Sequence, residues 1–253
     1  MLVVTRLNKI KEIVLEEKSV TVAELSELFH VTPETIRRDL KTLEDSGILK
    51  KTYGGAYVED GVSNEVNFSI KENILVENKQ LIAERCKKFI SNGDTIFLDA
   101  STTVSCLCDI VAGMRLTVLT NSLNVINQLS KSKDFTLISI GGSLSTKSMS
   151  FVGISAVQNM SNYYVDKAFI SCEALSMQSG LTDSTEEQAR IRQIAIQRSR
   201  KTFLLADHTK FNKSCFQHID GFENIDTIVV DKAPSGDWEE FLKKQHVEYI
   251  CCT

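Results

Sequence analysis

Residues 31–56 read VTPETIRRDLKTLEDSGILKKTYGGA, and their pattern decides what the first part of the chain can be. Thr32 has the side chain of a helix N-cap, Pro33 suits the first helical position, and Ile36, Leu40 and Leu43 recur at i, i+4 and i+7. One face of this helix is therefore apolar and meets a core. The opposite arc carries Thr35, Arg37, Arg38 and Lys41, and these cations have no core to serve, so their partner lies outside the protein. Upstream, Thr21 and Glu24 have the spacing of a capping box that opens a helix ending at Phe29, and His30-Val31 leaves only a tight turn before Thr32. Two helices joined so closely make a helix-turn-helix. Downstream, residues 48–53 read as a strand, Gly54-Gly55 as a turn with positive φ, and residues 56–58 as the returning strand of a wing.

In such modules the second helix enters the major groove with its N-terminal residues nearest the base edges, while flanking basic groups hold phosphates. Thr35, Arg37 and Arg38 are the expected readers and Lys41, Lys50 and Lys51 the expected clamps. Thr32 at the helix start and Tyr53 on the hairpin complete the expected DNA-facing set. Charge on a helix is also what an ordinary solvated face carries, so the reading rests on the capped turn and the wing together.

The string Thr35-Ile36-Arg37-Arg38-Asp39-Leu40, followed by Leu43-Glu44, Gly47 and Gly54-Gly55-Ala56, resembles the N-terminal signature of the DeoR family of bacterial transcriptional regulators. That family has a basic residue and a histidine before Gly-Gly-Ala, where this chain has Lys51, Thr52 and Tyr53. Asp39 also matches, and two roles are open to it: orienting a neighbouring arginine, or complementing local positive charge.

With 253 residues, 42% hydrophobic and 25% charged, the chain has room for one small and one medium domain and fits neither a disordered nor a membrane class. No apolar run approaches the ~18 residues of a spanning helix, and residues 1–6 lack a basic region ahead of their apolar positions, so a cytoplasmic location is expected. The formal charge of −4 is not that of a globally basic DNA binder. Residues 1–58 hold nine Lys/Arg and nine Asp/Glu, yet Arg37, Arg38, Lys50 and Lys51 gather at the proposed docking edge. A neutral module binds DNA tightly only in pairs, which makes a homo-oligomer part of the expectation. Seven cysteines, including Cys106-Leu107-Cys108 and Cys251-Cys252, lack zinc-site spacing and read as reduced structural thiols; no metal or cofactor is expected.

The composition divides the chain into a winged helix-turn-helix domain over 1–58, a linker over 59–77 where periodicity fails, and an α/β effector-binding domain over 78–253. In the last, helical patterns at 80–90, 103–111, 123–129 and 186–198 intersperse with extended runs at 95–98, 116–119, 136–140, 168–171, 202–205, 227–230 and 248–251. Such alternation predicts parallel strands with crossover helices in an open α/β sheet. Ligands bind such sheets at the carboxyl ends of strands near a topological switch. There the chain places Asp99, Ser101, Thr102 and Thr103, then Asn121 and Ser122, then Gly141 and Gly142, and finally Asp207 and Lys210. Hydroxyls and N–H groups at a helix start suit an anion, Asp207 can accept from sugar hydroxyls, and Lys210 can donate to phosphate. Each piece also has a plainer reading as a cap, a turn or a surface pair.

The runs Gly93–Asp99, Thr120-Asn121-Ser122, Gly141-Gly142, Asp166-Lys167-Ala168-Phe169 and Asp207-His208-Thr209-Lys210-Phe211 resemble the C-terminal effector domain of the same family, itself similar to ribose-5-phosphate isomerase-type folds. The resemblance implies a sensor of phosphorylated sugars and gives pocket roles to Asp99, Ser101, Thr102, Thr103, Asn121, Gly141, Asp207 and Lys210, with Glu187 a further candidate. Two departures stand out: Ser171-Cys172-Glu173-Ala174-Leu175 replaces a glycine-containing segment, and Ser101 stands where glycine is common.

The expectation is a sequence-specific DNA-binding regulator, a repressor of a carbohydrate-metabolism operon relieved by a phosphorylated sugar. An isomerase or deaminase using Glu187 or Asp207 as base and Lys210 as electrophile is the enzymatic alternative. Fold similarity does not carry chemistry, and no acid/base pair occupies isomerase motif positions, which weighs against it. A third reading makes the N-terminal module a protein-interaction domain.

Overall fold

A computed structural model describes residues 2–17, 19–57, 67–132 and 136–253, and the chain divides into two compact units, Met1–Leu75 and Val76–Thr253. The first unit begins with α1 (Val3–Glu17), β1 (Ser19–Thr21), α2 (Val22–Phe29) and α3 (Pro33–Asp45), followed by β2 (Lys50–Lys51) and β3 (Gly55–Tyr57). The apolar stripe of α3 is fully buried at Ile36, Leu40 and Leu43, packed with Ile10 and Val14 of α1 and Leu25 of α2. Both predicted caps form. Thr21 and Glu24 make a reciprocal capping box, and Thr32 Oγ1 accepts the Thr35 N–H at 3.3 Å with Pro33 in the first turn. His30, in the left-handed region at φ 51°, closes the turn between the helices.

The wing differs from expectation in one respect. Neither Gly54 nor Gly55 has positive φ; within this module the glycine that does is Gly47, at 73°, past the end of α3. Gly55 is needed for space instead, because it pairs with Thr21 of β1 and a Cβ there would stand 2.0 Å from the Val20 carbonyl oxygen. The sheet order is β1-β3-β2, so the returning strand is central. A three-residue strand between two helices carries no periodicity of its own, which hid β1 from the sequence.

Val58 and residues 59–66 of the expected linker lie outside the described residues. The rest of the 59–77 span is not linker: α4 (Phe68–Lys71) is helical, and Ile74 and Leu75 are buried in the first unit's core. Burial of these two side chains, with the Leu75 N–H donating to Glu12 at 3.2 Å, moves the boundary to 75/76. Two apolar residues are too few to show a period.

The second unit opens with α5 (Val76–Cys86), β4 (Thr95–Leu98), α6 (Thr102–Ser105), α7 (Leu107–Val111), β5 (Thr117–Thr120), α8 (Leu123–Leu129) and β6 (Thr136–Ser139). A hairpin, β7 (Ser143–Ser145) and β8 (Ser150–Val152), leads to α9 (Ile154–Ser161) and β9 (Val165–Ile170). Then come β10 (Ala174–Ser176), β11 (Gly180–Asp183), α10 (Glu186–Gln197), β12 (Ser199–Ala206), β13 (Gln217–Asp220), β14 (Thr227–Val230), α11 (Trp238–Lys244) and β15 (Glu248–Cys251). Every one of the seven predicted extended runs is a strand of one parallel sheet, ordered β15-β14-β12-β9-β4-β5-β6. The chain order reverses between β4 and β9, which makes their carboxyl ends the topological switch. Alternate strand residues feed cores on opposite faces: Phe97 and Ala168 on one, Ile96, Leu98 and Phe169 on the other. The antiparallel sheet β10-β11-β13 and the β7-β8 hairpin were not legible in the sequence.

Candidate DNA interface and effector site

On α3, Arg37 and Arg38 are exposed and Thr35 is half-buried. Arg37 pairs with Glu34 at 3.1 Å in the same turn, and the Thr35 hydroxyl lies 3.0 Å from that of Thr32. Arg38 has no ion-pair or hydrogen-bond partner for its guanidinium among the described residues. Lys41 is the expected clamp most occupied by its own helix, 2.9 Å from Asp45 and 3.2 Å from Glu44. Those carboxylates, Asp45 foremost, hold its pKa above the usual value. Lys50 is exposed, and the Lys51 N–H donates to Glu44 Oε1 at 3.0 Å, fastening β2 to α3. Tyr53 is fully exposed beyond β2.

Asp39 does not face outward. Its carboxylate is 5% exposed and takes a two-point hydrogen bond from Arg6 of α1, Nε to Oδ2 at 2.6 Å and Nη2 to Oδ1 at 3.2 Å. Of the two roles open to it, orienting an arginine is the one present, but that arginine is Arg6 on another helix. The pair fixes the rotation of α3 and with it the outward aim of Arg37 and Arg38.

In the second unit the expected residues other than Glu187 fall at the carboxyl ends of four strands, β12, β4, β5 and β6, with β9 lying between the first two. Asp99, directly after β4, is 1% exposed and already engaged. Its Oδ1 accepts the Ser101 N–H at 2.8 Å, and its Oδ2 accepts the Ser171 N–H at 2.9 Å and Arg192 Nε at 2.8 Å. Arg192 also donates to Asp183. Burial lowers the pKa of Arg192, but Asp183 and Asp99 outweigh it and the guanidinium stays firmly charged. Asp99 is thus the brace that joins the two strands of the switch to α10.

Ser101 caps α6 by accepting the Val104 N–H at 3.1 Å, and Thr102 and Thr103 are buried in its first turn. Asn121 is buried beside the β7-β8 hairpin, accepting the Phe151 N–H on its carbonyl, while its side-chain Oδ1 has no partner among the described residues. Ser122 caps α8 at 3.2 Å to the Val125 N–H. Gly141 and Gly142 have φ of 63° and 115°, and a Cβ on Gly142 would meet the Val152 carbonyl oxygen at 2.7 Å, so both are conformational requirements. Asp207 caps the 3-10 turn His208–Lys210 through the Thr209 N–H at 3.0 Å. Lys210 Nζ lies 3.5 Å from Glu173 Oε1. Burial lowers the Lys210 pKa, and Glu173 and Asp207 more than reverse that, so the ammonium is held charged. Glu187 is exposed on the first turn of α10 and is not brought to these strand ends; the face of that helix that reaches them carries Arg192 and Gln188.

Arg192, Asp183 and Gln188 were missed in the sequence. The available signal was an arginine on the same helical face as Gln188 and Ala195, where a buried face that carries a cation needs a carboxylate to receive it. Gln188 donates to the hydroxyl of Ser148 at 2.9 Å and to that of Ser150 at 2.5 Å, closing the hairpin over the sheet. A cavity of about 420 Å³ lies elsewhere, against the small sheet, with Thr182, Cys215, Phe216, His218, Phe222 and Phe241 among its walls and none of the expected effector residues. Burial pushes the Cys86 and Cys108 thiols up to about 12, so both stay protonated. Among the described residues no group of three or more His, Cys, Asp or Glu could hold a metal ion, and no helix is long and apolar enough to cross a membrane.

A winged helix-turn-helix with an outward arginine pair, followed by a doubly wound α/β unit with polar strand ends, defines the class: a DNA-binding transcriptional regulator with a sensor domain. Residues 6–61 match the DeoR-like helix-turn-helix domain and residues 75–232 the DeoR C terminal sensor domain. The chain is 40% identical over 231 residues to the uncharacterized HTH-type transcriptional regulator YulB of Bacillus subtilis, covering 91% of this chain and 90% of that one. It is 32% identical to a putative aga operon transcriptional repressor of Escherichia coli O157:H7, covering 93% and 88% of the two chains. Against the glycerol-3-phosphate regulon repressor of Escherichia coli K12 the identity is 28%, with 98% of each covered. Among solved structures, the translation initiation factor eIF-2B of Pyrococcus horikoshii OT3 aligns at 12% identity and TM-score 0.46 over 89% of this chain and 84% of that one. Ribose 5 phosphate isomerase A of Neisseria gonorrhoeae aligns at 14% identity and TM-score 0.39 over 54% and 53%. The chain belongs to the DeoR family of transcriptional regulators.

Proposed function

We propose that the chain is a repressor of a carbohydrate-metabolism operon, binding its operator through α3 and the wing and releasing it when a phosphorylated sugar occupies the strand ends of the second unit. The observation that carries the effector half is Lys210, a largely buried ammonium beside Asp207, which together offer a cation for phosphate and an acceptor for a sugar hydroxyl. Asn121 Oδ1, which has no partner among the described residues, adds a second acceptor for a ligand hydroxyl. Two of the relatives described above are named as repressors, one of them of a glycerol-3-phosphate regulon. Two copies acting on paired half-sites would supply the affinity that one neutral module lacks. For the sugar to act, it must bind the DNA-incompetent state better than the competent one.

The DNA half is tested on a site selected from a random duplex pool. Arg38→Ala is expected to cost ~1–3 kcal/mol on that site and to relax one base position, as loss of a guanine contact does. Lys50→Ala should weaken all sequences alike and reduce the salt slope by about 1. An Arg38→Ala variant that loses the same affinity on selected and random duplexes would reassign Arg38 from reader to clamp.

A further inference from the structure

The loop after β9 carries a carboxylate to the very cation the effector is proposed to use. Two backbone bonds fix its course: the Ser171 N–H donates to Asp99 Oδ2 at 2.9 Å, and the Glu173 N–H donates to the Thr182 carbonyl at 3.0 Å. Between these anchors Glu173 has little choice of direction, and its Oε1 ends 3.5 Å from Lys210 Nζ. Both side chains are mostly withdrawn from solvent, at 20% and 19% exposure, so water screens the pair weakly. Lys210 in turn is held from behind, its N–H donating to the Asp207 carbonyl at 3.1 Å.

We infer that Glu173 sets the sensitivity and charge preference of the sensor by competing with the effector's anionic group for Lys210. This rests on the phosphorylated-effector reading and adds that the chain carries its own rival to the ligand. A phosphate that reaches Lys210 while Glu173 is in place meets a like charge at close range, and one that displaces Glu173 gives up an existing ion pair. The first penalty scales with ligand charge and the second falls only on a ligand that claims Lys210, so the cost follows the anionic group. A phosphate dianion bears most of it and an uncharged sugar none. Glutamine at 173 keeps the size and the hydrogen-bonding oxygen but removes the competing charge.

The test is calorimetric titration of the full chain with glucose 6-phosphate, ribose 5-phosphate, inorganic phosphate and glucose. Glu173→Gln, and Glu173→Ala as a second variant, should bind the phosphorylated probes about tenfold or more tighter than the wild type, with no gain for glucose. Adding Lys210→Met to Glu173→Gln should abolish the gain, because the gain runs through that ammonium. Wild-type binding of a phosphorylated probe with equal or weaker binding by both Glu173 variants overturns the inference and leaves the effector reading standing. Binding of no phosphorylated probe by wild type or variants overturns the effector reading, and the inference with it.

Discussion

Arg192→Met is expected to destabilise the second unit by about 3–5 kcal/mol, read as a lowered urea midpoint. The arginine is 7% exposed and joins two carboxylates, Asp99 at 1% and Asp183 at 5% exposure. Removing it strands two buried negative charges at the switch between β4 and β9. Asp99 would keep the N–H groups of Ser101 and Ser171, and Asp183 would keep the Ser184 N–H at 2.7 Å, which softens but does not replace the lost guanidinium. Arg192→Lys should recover only part of the stability, since an ammonium cannot reproduce the planar fork that reaches both partners. The effector response should fail together with stability. An unchanged midpoint in Arg192→Met would mean that the two carboxylates are solvated by other means and that Asp99 is available to a ligand.

Asp39→Ala is expected to have the second large effect, on a smaller body. The first unit spans 75 residues, for which total stability is on the order of 4–11 kcal/mol. Leaving Arg6 without its partner costs roughly 3 kcal/mol, a large share of that total. DNA affinity should drop although Asp39 points into the protein, because α3 loses the contact that fixes its rotation. A double variant, Arg6→Met with Asp39→Leu, replaces the pair by apolar groups and should restore most of the melting temperature and the operator binding. Loss of DNA binding by Asp39→Ala at unchanged melting temperature would instead make Asp39 a direct contact.

These two pairs also mark the limit of what the sequence disclosed. Periodicity located α3 with its buried Ile36, Leu40 and Leu43, and apolar runs located all seven strands of the parallel sheet, because both signals repeat within a few residues. Strand-end polarity then led to Asp99, Asn121, Asp207 and Lys210. Partners 33 and 93 residues apart, as in Arg6 with Asp39 and Arg192 with Asp99, leave no local pattern. Gly55 was read as a turn glycine when its real constraint is the approach of the Val20 carbonyl from β1, again a non-local fact. Glu187 entered through the family resemblance alone, and Arg192 left no mark because a buried cation looks in sequence like any other helical arginine.

Operator binding under effector titration tests the central claim most directly. Fluorescence anisotropy of the selected duplex with the full chain should show at least one phosphorylated sugar lowering affinity by about 5–150-fold, the range of ordinary allosteric coupling, and Lys210→Met should lose that response while retaining operator affinity. A phosphorylated sugar that binds the protein in calorimetry yet leaves operator affinity unchanged would contradict the account, as would a Lys210→Met variant that responds like the wild type.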